Sequence, residues 1–298
     1  MYDVLIIGGG PAGLSAAIQA KRYNLNTITV ASDIGGKIKN AHNIENWPGD
    51  FAISGNELTN KIINHTKEIN ANLVEDEVKA VRSDRGSFSV TTDGKQYTTK
   101  RILLTVGNER VRLNIPGEED FFKKGVSYNA NIEGELCINK TVAVVGSGDS
   151  ACTSALFLAD IAKKVYLMYR SKNLKAEPIW IEKVKKHPRI ELLSDTMPVS
   201  ILGDKVVKQL ECDNGKKLDI DGVFIEIGFN PSNGLVDSLG LKTDTDGFVV
   251  VDSEQKTSKD NVWAAGDITT NSGKLRQIIT AASEGMVALN SIYNDINK

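Results

Sequence analysis

Apolar and polar positions fall into the same order twice along this chain of 298 residues. In DVLIIGGGPAGLSAAIQAKRYNLNTITVA, residues 3–31, a short apolar run ends in glycines, a segment rich in alanine and leucine follows, and a β-branched run closes the unit. TVAVVGSGDSACTSALFLADIAKKVYLMY, residues 141–169, repeats that order. Each reads as strand, glycine turn, helix and second strand, so the pattern predicts a βαβ unit twice over.

The glycines give these units a chemistry. Gly8, Gly10 and Gly13 fit G-x-G-x-x-G directly after the first strand, and Gly146, Gly148 and Ala151 fit G-x-G-x-x-A in the second unit. The first glycine allows the tight turn, the second lets backbone approach a pyrophosphate, and the small third residue lets helix and strand pack closely. The helix N-terminus that follows presents N–H groups and a positive dipole end to the phosphates. Two such sites in one chain point to a flavin and a nicotinamide cofactor. The end of each second strand bears on the ribose, where an acidic residue suits a free 2′-OH and basic residues suit a 2′-phosphate. Ala31, Ser32 and Asp33 stand there in the first unit; Tyr169, Arg170, Ser171 and Lys172 stand there in the second, with Lys175 close behind. The second site therefore favours NADPH, with NADH left open and a solvated basic loop as the alternative for the lysines.

Composition narrows the class. A 41% hydrophobic chain of this length can bury the cores of one large or two ordinary domains. A net charge of −2 argues against nucleic-acid and polybasic membrane partners. MYDVLIIGGGPAG lacks a basic leader, and its glycines and Pro11 interrupt the apolar run, so a cytoplasmic protein is expected and neither a targeting peptide nor a membrane helix. Cys137, Cys152 and Cys212 are scattered, without metal or disulfide spacing, and read as packed, inert thiols in a reducing compartment. His42, His65 and His187 stand apart; no metal site is expected, and no hydrolase or kinase constellation appears.

Further stretches carry a resemblance over almost the whole chain: GGGPAG at 8–13, GGK at 35–37, IENWPG at 44–49, LLTVGNERVRLNIPGEE at 103–119, GSGDSA at 146–151, GVFIEIGFNP at 222–231, WAAGDI at 263–268 and RQIITAASEG at 276–285. The sequence resembles the low-molecular-weight thioredoxin reductases. The resemblance implies an α/β protein of two Rossmann-like, three-layer domains, with the nicotinamide domain inserted into the FAD domain. Residues 1–114 and 244–298 would form the FAD domain and 115–243 the NAD(P)H domain, with hinges near 114–117 and 243–247 and a homodimer as the assembly.

By the same resemblance, Gly8, Gly10, Pro11, Ala12 and Gly13 would hold the FAD pyrophosphate, and Gly36, Lys37 and Asn46 would lie near the flavin. Lys37 replaces a common glutamine. Val78 would offer backbone to the adenine, Thr105 and Gly107 would line the cofactor, Gly266 and Asp267 would meet the ribitol or its phosphate, and Arg276, Gln277 and Ile278 would edge the isoalloxazine. From the residues alone, Asp267 also reads as a helix N-cap and Arg276 as a surface ion-pair partner. Gly146, Ser147, Gly148, Asp149, Ser150, Arg170, Ser171 and Lys175 would serve NAD(P)H.

Two departures matter. The family carries Cys-x-x-Cys ahead of the second glycine motif, and alignment through Tyr128, Gly134 and GSGDSA puts Asn129 and Ile132 at those positions. The family's H-R-R-x-x-x-R becomes YRSKNLK at 169–175, which weakens the expected hold on a 2′-phosphate. Relatives acting on bacillithiol disulfide place a cysteine within GGGPCG, where this chain has Ala12. The expectation is an FAD-dependent NAD(P)H oxidoreductase that passes electrons from flavin directly to an external acceptor: a ferredoxin- or flavodoxin-like protein, a quinone or dioxygen. No protein acid or base is then needed as a catalytic group. The alternatives are a ferredoxin/flavodoxin-NADP reductase-like enzyme, for which the usual C-terminal aromatic extension is missing, and a low-turnover flavin-bound binding protein responsive to redox state.

Overall fold

The computed structural model describes residues 1–41, 43–84, 86–128, 130, 134–231 and 233–298. The chain divides into two compact units, Met1–Glu109 with Asn230–Lys298, and Arg110–Phe229. Both are Rossmann-like and three-layered, as the resemblance implies, and each contains one of the two βαβ units that the repeat predicts.

In the first unit five parallel strands lie in the order Val262–Ala264, Ile102–Leu104, Val4–Gly9, Thr27–Ile34 and Leu73–Glu75. The apolar run VLII is buried because a parallel sheet is covered on both faces. Val4 and Ile6 face a layer that includes helices Pro11–Arg22 and Ile278–Ile296, while Leu5 and Ile7 face Val81, Phe88 and Val90 of a three-stranded antiparallel sheet. Each fully buried leucine or isoleucine contributes about 1.5–3 kcal/mol. The two helices pack along small residues, Ala12, Ala16 and Ala20 against Ala281 and Ala288. A Cβ on Gly285 would lie 2.1 Å from the Ala12 carbonyl oxygen, so only glycine permits this approach.

The second unit repeats the arrangement. Parallel strands run in the order Ile190–Leu193, Lys164–Met168, Thr141–Val145, Gly222–Ile225 and Val126–Ser127. Val142 and Val144 pack with Ala151, Ala155 and Leu158 of helix Asp149–Ile161; Ala143 and Val145 pack with Ile201, Leu210 and Leu218 of an antiparallel sheet.

The units divide the chain at 109/110 and 229/230, where the sequence reading drew 114/115 and 243/244. The reason lies in apolar side chains. Leu113 and Ile115 pack on the core of the second unit, whereas Val236, Leu239 and Leu241 are buried in the core of the first. Both segments expected as hinges lie inside a unit. The Glu118 carboxylate accepts the N–H groups of Leu113 and Asn114 at 3.0 and 2.6 Å, and Gly247 and Phe248 close a turn on Asp244. Among the described residues no helix is long and apolar enough to cross a membrane.

Candidate cofactor sites

The first glycine turn is closed on its protein side and open on the other. Gly8 has φ +116°, and a Cβ there would meet the Thr105 carbonyl oxygen at 2.3 Å; a Cβ on Gly13 would meet the Gly8 oxygen at 1.9 Å. Around Gly10, by contrast, a Cβ would meet nothing within 4 Å. Gly10 is the N-cap of helix Pro11–Arg22, no side chain caps that end, and Pro11 occupies the first turn. The N–H groups of Ala12 and Gly13 belong to the helix end that such a cap would serve, and the cradle fits a pyrophosphate. Gly36, with φ +63°, brings the 3-10 helix Gly36–Asn40 against Gly10.

A polar network continues from this turn. The Thr105 hydroxyl lies within hydrogen-bond distance of the Ile7 and Gly8 oxygens, at 2.9 and 3.0 Å. Lys37 Nζ donates to both the backbone oxygen and Oδ1 of Asn108, and Asn108 Nδ2 donates to Asp267 Oδ2 at 3.2 Å. Burial pushes the Asp267 carboxyl above the usual range, while the charges of Lys37 and Arg276 oppose that rise. Asp267 sits in a turn after Gly266; the N-cap of helix Ile278–Ile296 is Gln277, which sets aside the capping role for Asp267. The turn itself is held by buried Glu284, which accepts the Gly266 N–H at 2.8 Å and the hydroxyls of Thr269 and Ser272 at 3.2 and 2.5 Å.

Other expected residues join this group at its margin. The Arg276 guanidinium lies over the Phe248 ring at 3.9 Å. Asn46 Nδ2 donates to Gln277 Oε1 at 3.0 Å, tying the loop at 44–49 to the start of the last helix, and Ile278 packs on the small core beneath that loop. A Cβ on Gly107 would meet open space. Val78 lies apart from the network, partly buried against the first unit's core, at the head of strand Val78–Asp84. Asn108 and Glu284 are the residues the sequence reading missed. The signal for Glu284 is a carboxylate amid the small and apolar residues of TAASEGMVAL.

In the second unit a Cβ on Gly146 would lie 2.1 Å from the Glu226 oxygen, and one on Gly148 would meet nothing within 4 Å. Gly148 caps helix Asp149–Ile161 without a side-chain hydrogen bond. The basic loop folds back onto this turn: Lys175 N–H donates to the Ser147 oxygen and Glu177 N–H to Asp149 Oδ1, both at 2.7 Å. Arg170 and Lys175 are exposed beside it, as is Ser150, and the Ser171 hydroxyl donates to the Asn173 oxygen at 2.7 Å. The Tyr169 side chain turns inward and packs in the core of the second unit.

The relay positions Asn129 and Ile132 lie outside the described residues. Just ahead of them, Tyr128 donates its hydroxyl to Glu118 at 2.5 Å. Cys137, Cys152 and Cys212 are all buried. Burial, with the Asp149 charge added, pushes the Cys152 thiol up to about 12, and burial also raises Cys212. Iodoacetamide at neutral pH is therefore expected to label the folded protein at least about tenfold more slowly than the unfolded chain. A thiol in the native protein that reacts as fast as in the unfolded chain would reveal an accessible thiolate. Among the described residues no group of three or more His, Cys, Asp or Glu could hold a metal ion.

Comparison with known proteins agrees with this geometry. Residues 2–285 match the pyridine nucleotide-disulphide oxidoreductase family. The thioredoxin reductase of Bacillus subtilis is 32% identical over 100% of this chain and 96% of its own. The crystal structure of Lactococcus lactis thioredoxin reductase superposes with a TM-score of 0.95 at 31% identity, covering 100% of this chain and 99% of that one. A ferredoxin-flavin thioredoxin reductase from Clostridium acetobutylicum is 32% identical, with a TM-score of 0.55 over 100% of this chain and 99% of its own. The chain belongs to the pyridine nucleotide-disulphide oxidoreductases and, within them, to the low-molecular-weight thioredoxin reductase family of FAD-dependent oxidoreductases.

Proposed function

We propose that the first unit holds FAD, that the second holds NAD(P)H, and that electrons leave the flavin directly for an external acceptor without an internal dithiol. FAD, when bound, supplies two-electron chemistry, accepting hydride from the nicotinamide and releasing the electron pair to the acceptor. The observation that carries the reading is the pair Asn129 and Ile132 at the relay positions, in a chain whose three cysteines are buried elsewhere. Neither side chain can become a thiolate, and a protein disulfide needs an attacking thiolate.

The chain's own residues have binding work to do. Gly10, Ala12 and Gly13 present the open helix end to the FAD pyrophosphate; Thr105 stiffens the turn; Asp267, held by Asn108 and by the Glu284-pinned turn, accepts hydrogen bonds from the ribitol. Asn46, Gln277 and Arg276 border the flavin ring. Gly146, Gly148 and Ser150 receive the nicotinamide dinucleotide, with Arg170 and Lys175 facing its adenosine 2′-phosphate. Two copies of the chain form the working dimer.

Anaerobic addition of NADPH is expected to bleach the bound flavin. Arg170→Ala should raise the KM for NADPH about ten- to hundredfold, the worth of one charge-assisted hydrogen bond, and leave NADH within about twofold. An equal effect on both nucleotides would remove Arg170 from the phosphate. The similarity to the ferredoxin-flavin thioredoxin reductase favours a second reading, in which electrons enter from a ferredoxin-like protein. Failure of both nucleotides to bleach the flavin, with rapid bleaching by reduced ferredoxin, would select it. A flavin that neither source reduces would favour the low-turnover flavin-bound binding protein instead.

A further inference from the structure

We propose that Lys37 sets the reduction potential of the bound flavin: anchored on Asn108 beside Asp267, its ammonium is a fixed positive charge at the flavin loop that favours the reduced cofactor. The inference rests on the reading that the first unit holds FAD.

Backbone geometry fixes where this lysine leaves the chain. Gly36 is left-handed, and a Cβ on it would lie 3.0 Å from the Gly10 Cα, so Lys37 emerges directly beside the open glycine turn. Its long stem is exposed, yet its end is held by two acceptors of buried Asn108, one from the backbone and one from the side chain. A solvated surface lysine would keep its rotamer freedom instead. Asn108 in turn donates to Asp267, so cation and carboxylate share one amide as a bridge.

The local charge balance gives the lysine its effect. Lys37, Arg276 and Glu284 are among the charges that act on Asp267. A neutral side chain in its place, as the glutamine common at this position would be, removes one positive charge from the group around Asp267. Hydride transfer breaks the nicotinamide C4–H bond and forms the flavin N5–H bond, oxidising the nicotinamide and leaving the reduced flavin with one more negative charge. A neighbouring cation stabilises that product, and its removal withdraws the stabilisation. Lys37 thus eases reduction by the nicotinamide and suits the flavin to an acceptor of correspondingly higher potential.

The test is anaerobic equilibration of the FAD-loaded protein with a redox dye of known potential. At a poise that half-reduces the wild-type flavin, Lys37→Gln and Lys37→Met should lower the reduced-to-oxidised ratio about tenfold, equivalent to about 30 mV for a two-electron couple. Lys37→Arg, which keeps the charge, should stay within about twofold of wild type. Ratios for both neutral variants within about twofold of wild type would overturn the inference. A wild-type protein that takes up no FAD would instead overturn the reading on which it rests.

Discussion

Gly10→Val is expected to give a folded protein that has lost its flavin, whereas Gly13→Val loses stability as well. The contrast follows from what surrounds each glycine. Gly10 has φ −76° and ψ −171°, extended backbone open to any residue, and a Cβ there meets nothing within 4 Å. Valine is a poorer N-cap than glycine, a cost of about 1 kcal/mol at most. Its methyl groups, however, occupy the space in which the helix end receives the pyrophosphate. A hundredfold or greater loss of affinity, about 2.7 kcal/mol, should strip FAD during purification. At Gly13 the added Cβ lies 1.9 Å from the Gly8 oxygen and 2.8 Å from Thr105 Oγ1, so strand and helix must part. Overpacking of this kind costs about 1–3 kcal/mol or more. Visible flavin absorbance per protein, measured with the thermal midpoint, separates the two effects. A Gly10→Val protein that keeps stoichiometric FAD would place the pyrophosphate elsewhere.

These glycines were readable in the sequence because a tight turn between an apolar strand and a helix demands them at fixed spacing. The two parallel sheets were readable for a related reason: VLII and VAVV are buried on both faces and so show as unbroken apolar runs. The division between the units was less visible. Val236, Leu239 and Leu241 belong to the first core, but their segment carries no glycine motif or change of composition that says which sheet it covers. Asn108 and Glu284 went unread because each acts on a partner distant in sequence: Asn108 on Asp267, and Glu284 on a loop that only the folded last helix brings within reach. Lys37 stood out as a departure from the family pattern. Its anchor on Asn108, which gives the departure a consequence, is a tertiary contact. Tyr169 shows the converse, since its place in YRSKNLK looks outward in the sequence and the side chain lies in the core.

The second large effect concerns the acceptor. With NADPH and a thioredoxin disulfide as substrates, turnover is expected at least about 10³-fold below that of a relative with a relay dithiol, because the electron pair loses its positioned intramolecular route. The Cys152 thiol is a poor substitute. At about 12, the Cys152 thiol is ionised in only about one molecule in 10⁵ at pH 7, and it is fully buried in the core beside Ala151 and Ala155. Ferredoxin- or flavodoxin-like proteins, quinones and dioxygen need only approach the flavin itself. On the proposed reading, an acceptor from among these should turn over at a rate that flavin reduction by the nicotinamide can sustain. Robust thioredoxin reduction would require another redox route, and would point first to Cys137 or to a thiol brought by a partner.

Electron counting tests the account most directly. Anaerobic reductive titration of the FAD-loaded protein, followed to complete bleaching and on to the first excess of reductant, reads every redox couple in the chain. A flavin without a dithiol relay takes up two electrons per FAD. An uptake of four electrons per FAD would reveal a disulfide couple beside the flavin and contradict the claim that this chain discharges its cofactor directly.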